Sequence, residues 1–307
     1  MNPQALVLAA SLIVFGVASL GLTQGVEPFV TWYFSLAWWP AILAGQSGIK
    51  LKGGRSTLWD DPRLFAQLPL LSLTVWLVFE AYNFRLGDWA YLNLPVNRAL
   101  RWLGYALSFS SVLPALVTAA DVLEHLGLFA KVRSQPLARP QALYATLASA
   151  GVVCLVLPLA WPDYFFPLVW GGFVFLLEPW LHREGGDCLL ADLESGRPRR
   201  PLLIATAGLV TGFFWEMWNF RAGAKWVYDL PINAGPKLFE MPLLGYLGFP
   251  AFALECFCLT SAFFLLRRRI SLLPPFTRKL AWTALILAAL AFDIWVMLGI
   301  DRWTLGG

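Results

Sequence analysis

The sequence predicts an all-α, polytopic integral membrane protein of about nine transmembrane helices, with a parallel duplication of a four-helix unit plus one extra helix. Three observations predict this class: a composition that is 58% hydrophobic and 14% charged over 307 residues, nine apolar runs, and a repeated polar motif. Soluble domains carry about 25% charged residues. The mean hydropathy of +0.63 leaves no room for a large soluble domain. Composition also excludes disordered, nucleic-acid-binding and disulfide-rich secreted proteins.

Nine stretches are candidates for membrane-spanning helices, which need about 20 mostly apolar residues. They are Ala5–Leu22, Phe29–Leu43, Leu64–Tyr82, Trp102–Leu123, Leu143–Leu159, Phe165–Leu181, Leu202–Phe220, Met241–Leu266 and Leu280–Ile300. The first run lacks the positive leader and the small-residue cleavage motif of a signal peptide. We therefore expect it to remain in the protein as a helix.

Lysine and arginine are unevenly divided between the two sets of loops. Of the 23 such residues, 16 follow the second, fourth, sixth and eighth runs, and seven lie on the other side. Positively charged loops stay on the cytoplasmic side of a membrane. We therefore expect a multi-pass protein of the cell inner (plasma) membrane, with its N-terminus cytoplasmic and its C-terminus outside.

Two segments of the chain resemble each other. FEAYNFRLGDWAYLNLP (Phe79–Pro95) and WEMWNFRAGAKWVYDLP (Trp215–Pro231) align without gaps and share seven of 17 residues, where chance gives about one. An offset of 136 residues spans four helices, an even number, so the two copies have the same orientation in the membrane. The sequence therefore predicts a first repeat over residues 1–136, a second over 137–270, and an additional C-terminal helix over 271–307.

Each copy of the motif contains a glutamate, an asparagine three residues later and an arginine two residues after that: Glu80, Asn83, Arg85 and Glu216, Asn219, Arg221. Residues three apart share one face of a helix, so the carboxyl and amide groups can point together into the bundle. Each arginine follows closely enough to pair with its carboxylate. The alternative is a structural clasp at the helix end, with the following Trp and Tyr residues as interfacial anchors.

The second repeat has acids that the first lacks. Glu240, expected to open the eighth helix, and Glu255, inside it, align with Gly104 and Ala119. Carboxyl groups inside membrane helices usually face protein or a wet cavity and often mark functional sites. Asp293, in the ninth helix, is either a relay for protons or ions, or it pairs with an inward-facing arginine or hydrogen-bonds a backbone carbonyl.

These residues predict one outward-opening cavity. Its catalytic residues would be Glu216, Glu240 and Glu255, with Glu255 as a deep proton donor. Its substrate-binding residues would be Asn219, Arg221, Trp226, Tyr246, Glu80, Asn83 and Arg85. The alternative makes the Glu216–Arg221 pair a clasp and Glu255 a buried hydrogen-bonding group.

No cofactor and no metal are predicted. His125 and His182 do not occupy corresponding repeat positions, which argues against a pair of haem ligands. Cys256 and Cys258 lie two apart on a helix and point to different faces, so they cannot chelate one metal together. The expected partner is a membrane lipid or another apolar small molecule, not a nucleic acid.

The order of Trp215–Glu216, Trp226–Val227–Tyr228 and the Pro250-containing helix with Glu255 resembles membrane lycopene cyclase domains. The resemblance implies a long polyene substrate that is protonated by a carboxylic acid. The tandem acid pair of that family is missing here, and nine helices exceed one such domain.

The function expected from these patterns is an intramembrane enzyme that acts on a lipid or a polyprenoid (carotenoid-like) substrate by carboxylate acid–base chemistry. The 16 Trp and 23 Phe residues suit an apolar cavity that stabilises cationic intermediates. The alternatives are a transporter built from two parallel repeats and a non-catalytic subunit or assembly factor of a membrane complex.

Overall fold

The structure, a computed structural model, describes residues 2–231 and 235–305 and is predominantly helical over these ranges. The helices are α1 (Pro3–Thr23), α2 (Phe29–Leu51), α3 (Thr57–Asp60), α4 (Pro62–Leu86), α5 (Arg98–Phe109), α6 (Val112–His125), α7 (Tyr144–Ala160), α8 (Pro162–Phe165), α9 (Gly172–Arg183), α10 (Leu189–Glu194), α11 (Arg199–Arg221), α12 (Gly248–Ser271) and α13 (Pro275–Trp303). The short strands are β1 (Trp89–Leu92), β2 (Lys225–Tyr228), β3 (Lys237–Leu238) and β4 (Met241–Pro242).

Eight helical segments within these ranges are long and apolar enough to cross a membrane. They are Pro3–Thr23, Pro62–Leu86, Arg98–His125, Pro140–Ala160, Pro162–Arg183, Arg199–Arg221, Leu243–Ser271 and Pro275–Trp303. Each contains most or all of one predicted run, and the all-α membrane class is confirmed at this level. Helix α2, which contains the remaining run, is not among the eight. Its Trp, Tyr, Pro and Gln residues make it less apolar.

Helix ends follow from local sequence. Asn2 caps α1 by accepting a hydrogen bond from the Gln4 backbone, with proline next in the chain. Asp61 caps α4 in the same way before another proline. A capping oxygen satisfies a free N–H of the first turn, and proline has no N–H to leave unsatisfied there. Gly87 ends α4 with φ of 71°, a left-handed conformation that glycine adopts without steric cost.

Small residues allow two helices to pack closely behind the candidate site. Helix α11 packs against α12 through Gly208 and Gly212. A Cβ atom at position 208 would lie 2.4 Å from the Phe249 carbonyl oxygen, and one at position 212 would lie 2.2 Å from the Phe249 ring. Small residues allow helix backbones to approach closely in membrane proteins. Glycine at these two positions therefore determines how near α12 comes to the second motif copy.

The two motif copies are joined by a β-ribbon. Strand β1 follows α4, β2 follows α11, and the two strands pair antiparallel with Trp89 opposite Tyr228 and Tyr91 opposite Trp226. The end of the chain joins the other edge of β1, where the Tyr91 N–H donates to the Thr304 carbonyl at 2.8 Å. The ribbon therefore connects three parts of the chain that are distant in sequence.

The C-terminal helix is held beside this ribbon by one carboxylate. Asp301 accepts hydrogen bonds from Arg101 Nε at 2.7 Å, Trp102 Nε1 at 3.0 Å and the Tyr105 hydroxyl at 3.1 Å. All three donors lie on α5. Charge-assisted bonds of this kind are among the stronger ones in proteins, so Asp301 anchors the end of α13 to α5.

Candidate functional site

The first motif carboxyl lies in a cluster of aromatic donors. Glu80 is fully buried near the end of α4. Its Oε1 accepts hydrogen bonds from Trp76 Nε1 at 2.8 Å, Trp89 Nε1 at 3.1 Å and the Tyr91 hydroxyl. Its Oε2 is buried and has no hydrogen-bond partner among the described residues. Burial raises the pKa of Tyr91 well above 10, and the neighbouring Glu80 raises it further, so the Tyr91 hydroxyl stays protonated and donates.

The second motif carboxyl has a similar arrangement. Glu216 is fully buried on α11. The Tyr228 hydroxyl donates to its Oε1 at 2.8 Å, and Trp226 Nε1 donates to the Tyr228 oxygen at 2.9 Å. Glu216 Oε2 is again buried, and no residue that the structure describes is its partner. Burial, and then Glu216, raise the pKa of Tyr228 well above 10. Each copy therefore holds a carboxyl–tyrosine pair with one free carboxyl oxygen.

The motif asparagines position the aromatic donors. Asn83 Nδ2 donates to the Trp89 carbonyl at 2.8 Å, and the Trp89 N–H donates to Asn83 Oδ1 at 3.2 Å. Asn219 makes the same two bonds to the Trp226 backbone, at 2.8 and 2.9 Å. A side-chain amide has both a donor and an acceptor, so it can satisfy both backbone groups of one residue. The asparagines therefore clamp each tryptophan beside its own glutamate.

A cavity of about 470 Å³ lies between the two motif copies. The first copy contributes Trp76, Asp88, Trp89 and Tyr91, and the second contributes Trp215, Trp226, Tyr228 and Leu230. The remaining wall comes from residues between Phe166 and Trp170 and between Met241 and Phe252. Glu80 and Glu216 do not line this cavity themselves. Each glutamate is instead hydrogen-bonded to a tyrosine that does line the cavity: Glu80 to Tyr91 and Glu216 to Tyr228.

A smaller cavity of about 70 Å³ lies across the ribbon. It shares Trp76, Tyr91, Trp215 and Trp226 with the larger one, and α2 and α5 supply most of the rest of its wall. Unlike the larger cavity, it is also lined by the basic residues Arg101 and Lys225. The two cavities therefore differ in both volume and charge.

Asp88 is the one acidic residue among the described residues that line the larger cavity. It is 2% exposed, and its Oδ1 has no hydrogen-bond partner within residues 2–231 and 235–305. Burial raises the pKa of Asp88 to about 7. Sequence reasoning missed this residue because the ungapped repeat aligns it with Ala224. The sequence signal that could have identified Asp88 is its position. It lies between a glycine that can end the helix, Gly87, and the aromatic residue Trp89 of the motif.

The expected pairing of the motif arginines with the glutamates is wrong. Arg85 is exposed and donates from Nε to the Leu159 carbonyl at 3.0 Å, and Arg221 is also exposed. Among the described residues, neither arginine forms an ion pair with a motif carboxylate. Residues five apart on a helix are rotated by about 140° from each other, so the arginine points away when the glutamate points inward.

Glu240 does not open a helix. It lies in the turn between β3 and β4 and forms an ion pair with Lys225 at 2.5 Å. Helix α12 begins at Gly248, after a short 3₁₀ segment that includes Tyr246. An apolar run by itself does not distinguish a short strand from the start of a helix. The Tyr246 hydroxyl donates to the Leu238 carbonyl at 3.2 Å, and neither Glu240 nor Tyr246 lines the cavity.

Glu255 is fully buried but caps a neighbouring helix. Its Oε1 accepts from the Phe173 N–H at 2.9 Å, in the first turn of α9. The free N–H groups and the dipole at a helix N-terminus favour an acidic partner. Of the residues predicted to line one cavity, only Trp226 does so. Glu216 and Asn219 are linked to the cavity through their partners, whereas Glu255 belongs to a separate contact.

Asp293 also has a local partner. Its Oδ2 accepts from the Thr74 hydroxyl at 3.0 Å, and its Oδ1 is buried without a partner in the described part of the chain. This bond joins α13 to α4. This contact with a side-chain hydroxyl is neither the arginine pair nor the backbone hydrogen bond expected from the sequence.

Comparison of the whole chain with known protein families, with curated proteins and with solved structures finds no match. The residues of this chain and their geometry are therefore the basis for its function.

Proposed function

We propose that this protein is an intramembrane enzyme that acts on a lipid or a polyprenoid-like molecule by carboxylate acid–base chemistry. The observation that carries the proposal is the aromatic cavity with two buried carboxyl–tyrosine pairs behind its walls. A cavity of about 470 Å³ falls within the range of about 300–1,000 Å³ that small-molecule sites occupy. Its walls suit an apolar ligand, and their aromatic faces stabilise positive charge on such a ligand.

The hydrogen bonds define a route for a proton. Tyr228 lines the cavity and donates to Glu216 Oε1. When a ligand proton passes to the Tyr228 oxygen, the Tyr228 proton passes to Glu216, so the carboxylate acts as the base through the tyrosine. The reverse transfer makes the pair an acid. Tyr91 and Glu80 form the corresponding pair in the first copy, so one pair can deliver a proton and the other can remove one.

This proposal assigns different roles to the acids of the second repeat. Glu216 and Glu80 carry the proton transfer, whereas Glu240 and Glu255 hold the hairpin and the start of α9. The resemblance to membrane lycopene cyclase domains agrees with an apolar polyene in the cavity. However, the acid that resembles the family's proton donor, Glu255, lies outside the cavity wall here. The reaction need not be a cyclisation.

The proposal includes the parallel duplication over residues 1–136 and 137–270, with an extra helix over 271–307. The register of the ribbon supports the duplication. In each cross-strand pair, a tryptophan of one copy lies opposite a tyrosine of the other copy: Trp89 opposite Tyr228, and Trp226 opposite Tyr91. The equivalent clamps by Asn83 and Asn219 also support it. A pseudo-two-fold between Ala90 and Val227 would relate two such halves.

The proposal also includes nine membrane crossings, with α2 as the ninth. Helix α2 has 23 residues, enough for about 34 Å at the α-helical rise, and it packs along α1. An odd number of crossings agrees with the charge bias and puts the C-terminus outside. Alkaline phosphatase fused after Gly307 should therefore be active in the periplasm of a bacterial host. A fluorescent protein that folds at the same fusion point would instead mean a cytoplasmic C-terminus.

Extraction and mass spectrometry of lipid from the purified protein test the proposed function. We expect an apolar lipid to co-purify with the wild type and to be lost from Ala251→Trp, because Ala251 lines the cavity and the larger ring would fill it. Ala9→Trp, at an exposed position on α1, is the matched control and should retain the lipid. Equal lipid in all three proteins would contradict a ligand in this cavity. A lipid that binds but is never converted would favour the transporter or the subunit.

A further inference from the structure

The larger cavity has an apolar mouth. Most of the described residues that line it are buried or half-buried, but Pro167, Leu244 and Leu247 line it and are also exposed. Leu244 is 64% exposed and Leu247 is 72% exposed. Residues that border both a cavity and its surroundings mark the place where the two meet. All three side chains are apolar, so this mouth offers no side-chain hydrogen bond to water.

The mouth lies between two short 3₁₀ segments, Phe166–Val169 and Leu243–Leu247. These two rim segments lie near the starts of two stretches that are long and apolar enough to cross a membrane, Pro162–Arg183 and Leu243–Ser271. The first rim segment packs on α7 and α9, and the second packs on α11 and α12. The mouth therefore separates the ends of two helix pairs, within the length of chain that crosses the membrane.

Exposed aromatic residues indicate the depth of the rim in the membrane. Trp161 is 57% exposed and Tyr164 is 80% exposed, just before the first rim segment, and Asp163 is exposed between them. Exposed Trp and Tyr residues collect at the boundary between membrane and water, and an exposed carboxylate remains on the water side of it. The chain runs from this boundary into the apolar span, so the exposed residues of the rim face hydrocarbon.

We propose that the larger cavity opens sideways into the membrane between the rim segments, and that it takes in the hydrocarbon chain of a lipid that already lies in the bilayer. This inference rests on the proposed function for the cavity as a ligand site and adds the source of the ligand. The orientation proposed above makes that source the outer leaflet. Lateral entry keeps an apolar chain out of water, where its exposure is unfavourable.

Gly248 borders the passage behind the mouth. It lines the cavity directly after the second rim segment, and a Cβ atom at this position would lie 3.7 Å from Cδ1 of Trp170, another lining residue. This distance is an ordinary van der Waals contact, and the backbone φ of −69° suits any residue. A larger side chain at position 248 can therefore be accommodated and would fill the space beside Trp170.

Photolabelling of the full chain in vesicles of dioleoylphosphatidylcholine tests the inference. The vesicles also contain a phosphatidylcholine with a diazirine at the end of one acyl chain, and its head group keeps this probe in the bilayer. After irradiation, mass spectrometry of peptides locates the adducts. We expect adducts on Phe252, which lines the cavity and is 4% exposed, and on Val153, which is exposed on α7. Adducts on Val153 with none on Phe252 would overturn the inference.

Two glycine variants assign the route. Gly248→Leu should lower the labelling of Phe252 about tenfold, because a close-packed passage excludes a methylene chain, and should leave the labelling of Val153 unchanged. Gly16→Leu is the matched control, because Gly16 is exposed on α1 and a Cβ atom there would contact nothing within 4 Å. Equal labelling of Phe252 in the two variants would overturn entry between the rim segments.

Thiol labelling tests the surroundings of the mouth without using Gly248→Leu. A charged maleimide is brought to both sides of the vesicles by freezing and thawing. Leu247→Cys should gain no label over the wild type, because hydrocarbon excludes the reagent. Asp229→Cys is the control and should gain label, because Asp229 is exposed after the end of β2. Labelling of Leu247→Cys to the level of Asp229→Cys would mean that the mouth opens to water, and would overturn the inference.

Photolabelling needs no turnover, so failure of the inference and failure of the proposed function are distinguishable. A protein that is labelled at Phe252 but converts no lipid would retain lateral entry and reject the enzyme. Conversely, a protein that requires Glu216 for turnover but is not labelled at Phe252 would retain the enzyme and reject lateral entry.

Discussion

Glu216→Gln is expected to fold and to lose conversion of its lipid substrate by about 100-fold or more, the usual contribution of a general acid or base. The amide oxygen of glutamine can still accept the hydrogen bond from Tyr228, so the buried contact is kept. The amide cannot take up the proton that Tyr228 passes on. The measurement is the amount of product in lipid extracts from cells that contain equal amounts of wild-type and variant protein.

Two glutamates of the same repeat are matched controls for this prediction. Glu240→Gln and Glu255→Gln should keep product formation within a few-fold of the wild type, because neither side chain lines the cavity. Tyr228→Phe should resemble Glu216→Gln, because it removes the hydroxyl between carboxyl and cavity. Full product formation by Glu216→Gln would remove this carboxyl from the mechanism. If only Glu255→Gln lost product formation, Glu255 would be the proton donor, as expected from the sequence.

Asn219→Ala is expected to lower the free energy of unfolding by about 2–4 kcal/mol. The substitution removes two buried hydrogen bonds to the Trp226 backbone. Each hydrogen bond contributes about 1 kcal/mol net, and a buried donor or acceptor left unsatisfied costs about 1–3 kcal/mol. Thermal unfolding of the detergent-purified protein, followed by tryptophan fluorescence, measures the change. We expect Trp226 to lose its fixed position beside Glu216 at the same time.

The controls for this prediction use the same residue type. Asn219→Asp keeps the acceptor for the Trp226 N–H but buries a carboxylate against the Trp226 carbonyl oxygen, so it should be at least as destabilising as Asn219→Ala. Asn97→Ala removes an exposed cap of α5 and should cost about 1 kcal/mol. An Asn219→Ala protein as stable as the wild type would mean that the clamp does not hold the ribbon.

Local sequence determined the parts of this molecule that depend on neighbouring residues. The apolar runs predicted the helical segments, because a membrane-spanning helix satisfies its backbone groups within one segment. The spacing of Glu80 and Asn83 predicted that both side chains share one buried face, and the same holds for Glu216 and Asn219. Of the aromatic residues that follow the motifs, Trp226 alone was predicted to line the cavity, and it does so.

Tertiary structure decided which groups meet. The pairing of β1 with β2 places the aromatic residues of one copy beside those of the other, and no periodicity within a single segment specifies that register. Asp88 lines the cavity because the helix ends one residue earlier at Gly87. Glu255 caps α9 because packing brings a helix start against α12. Hydrogen bonds between distant segments depend on how the helices pack, so the sequence identified the acids but not their partners.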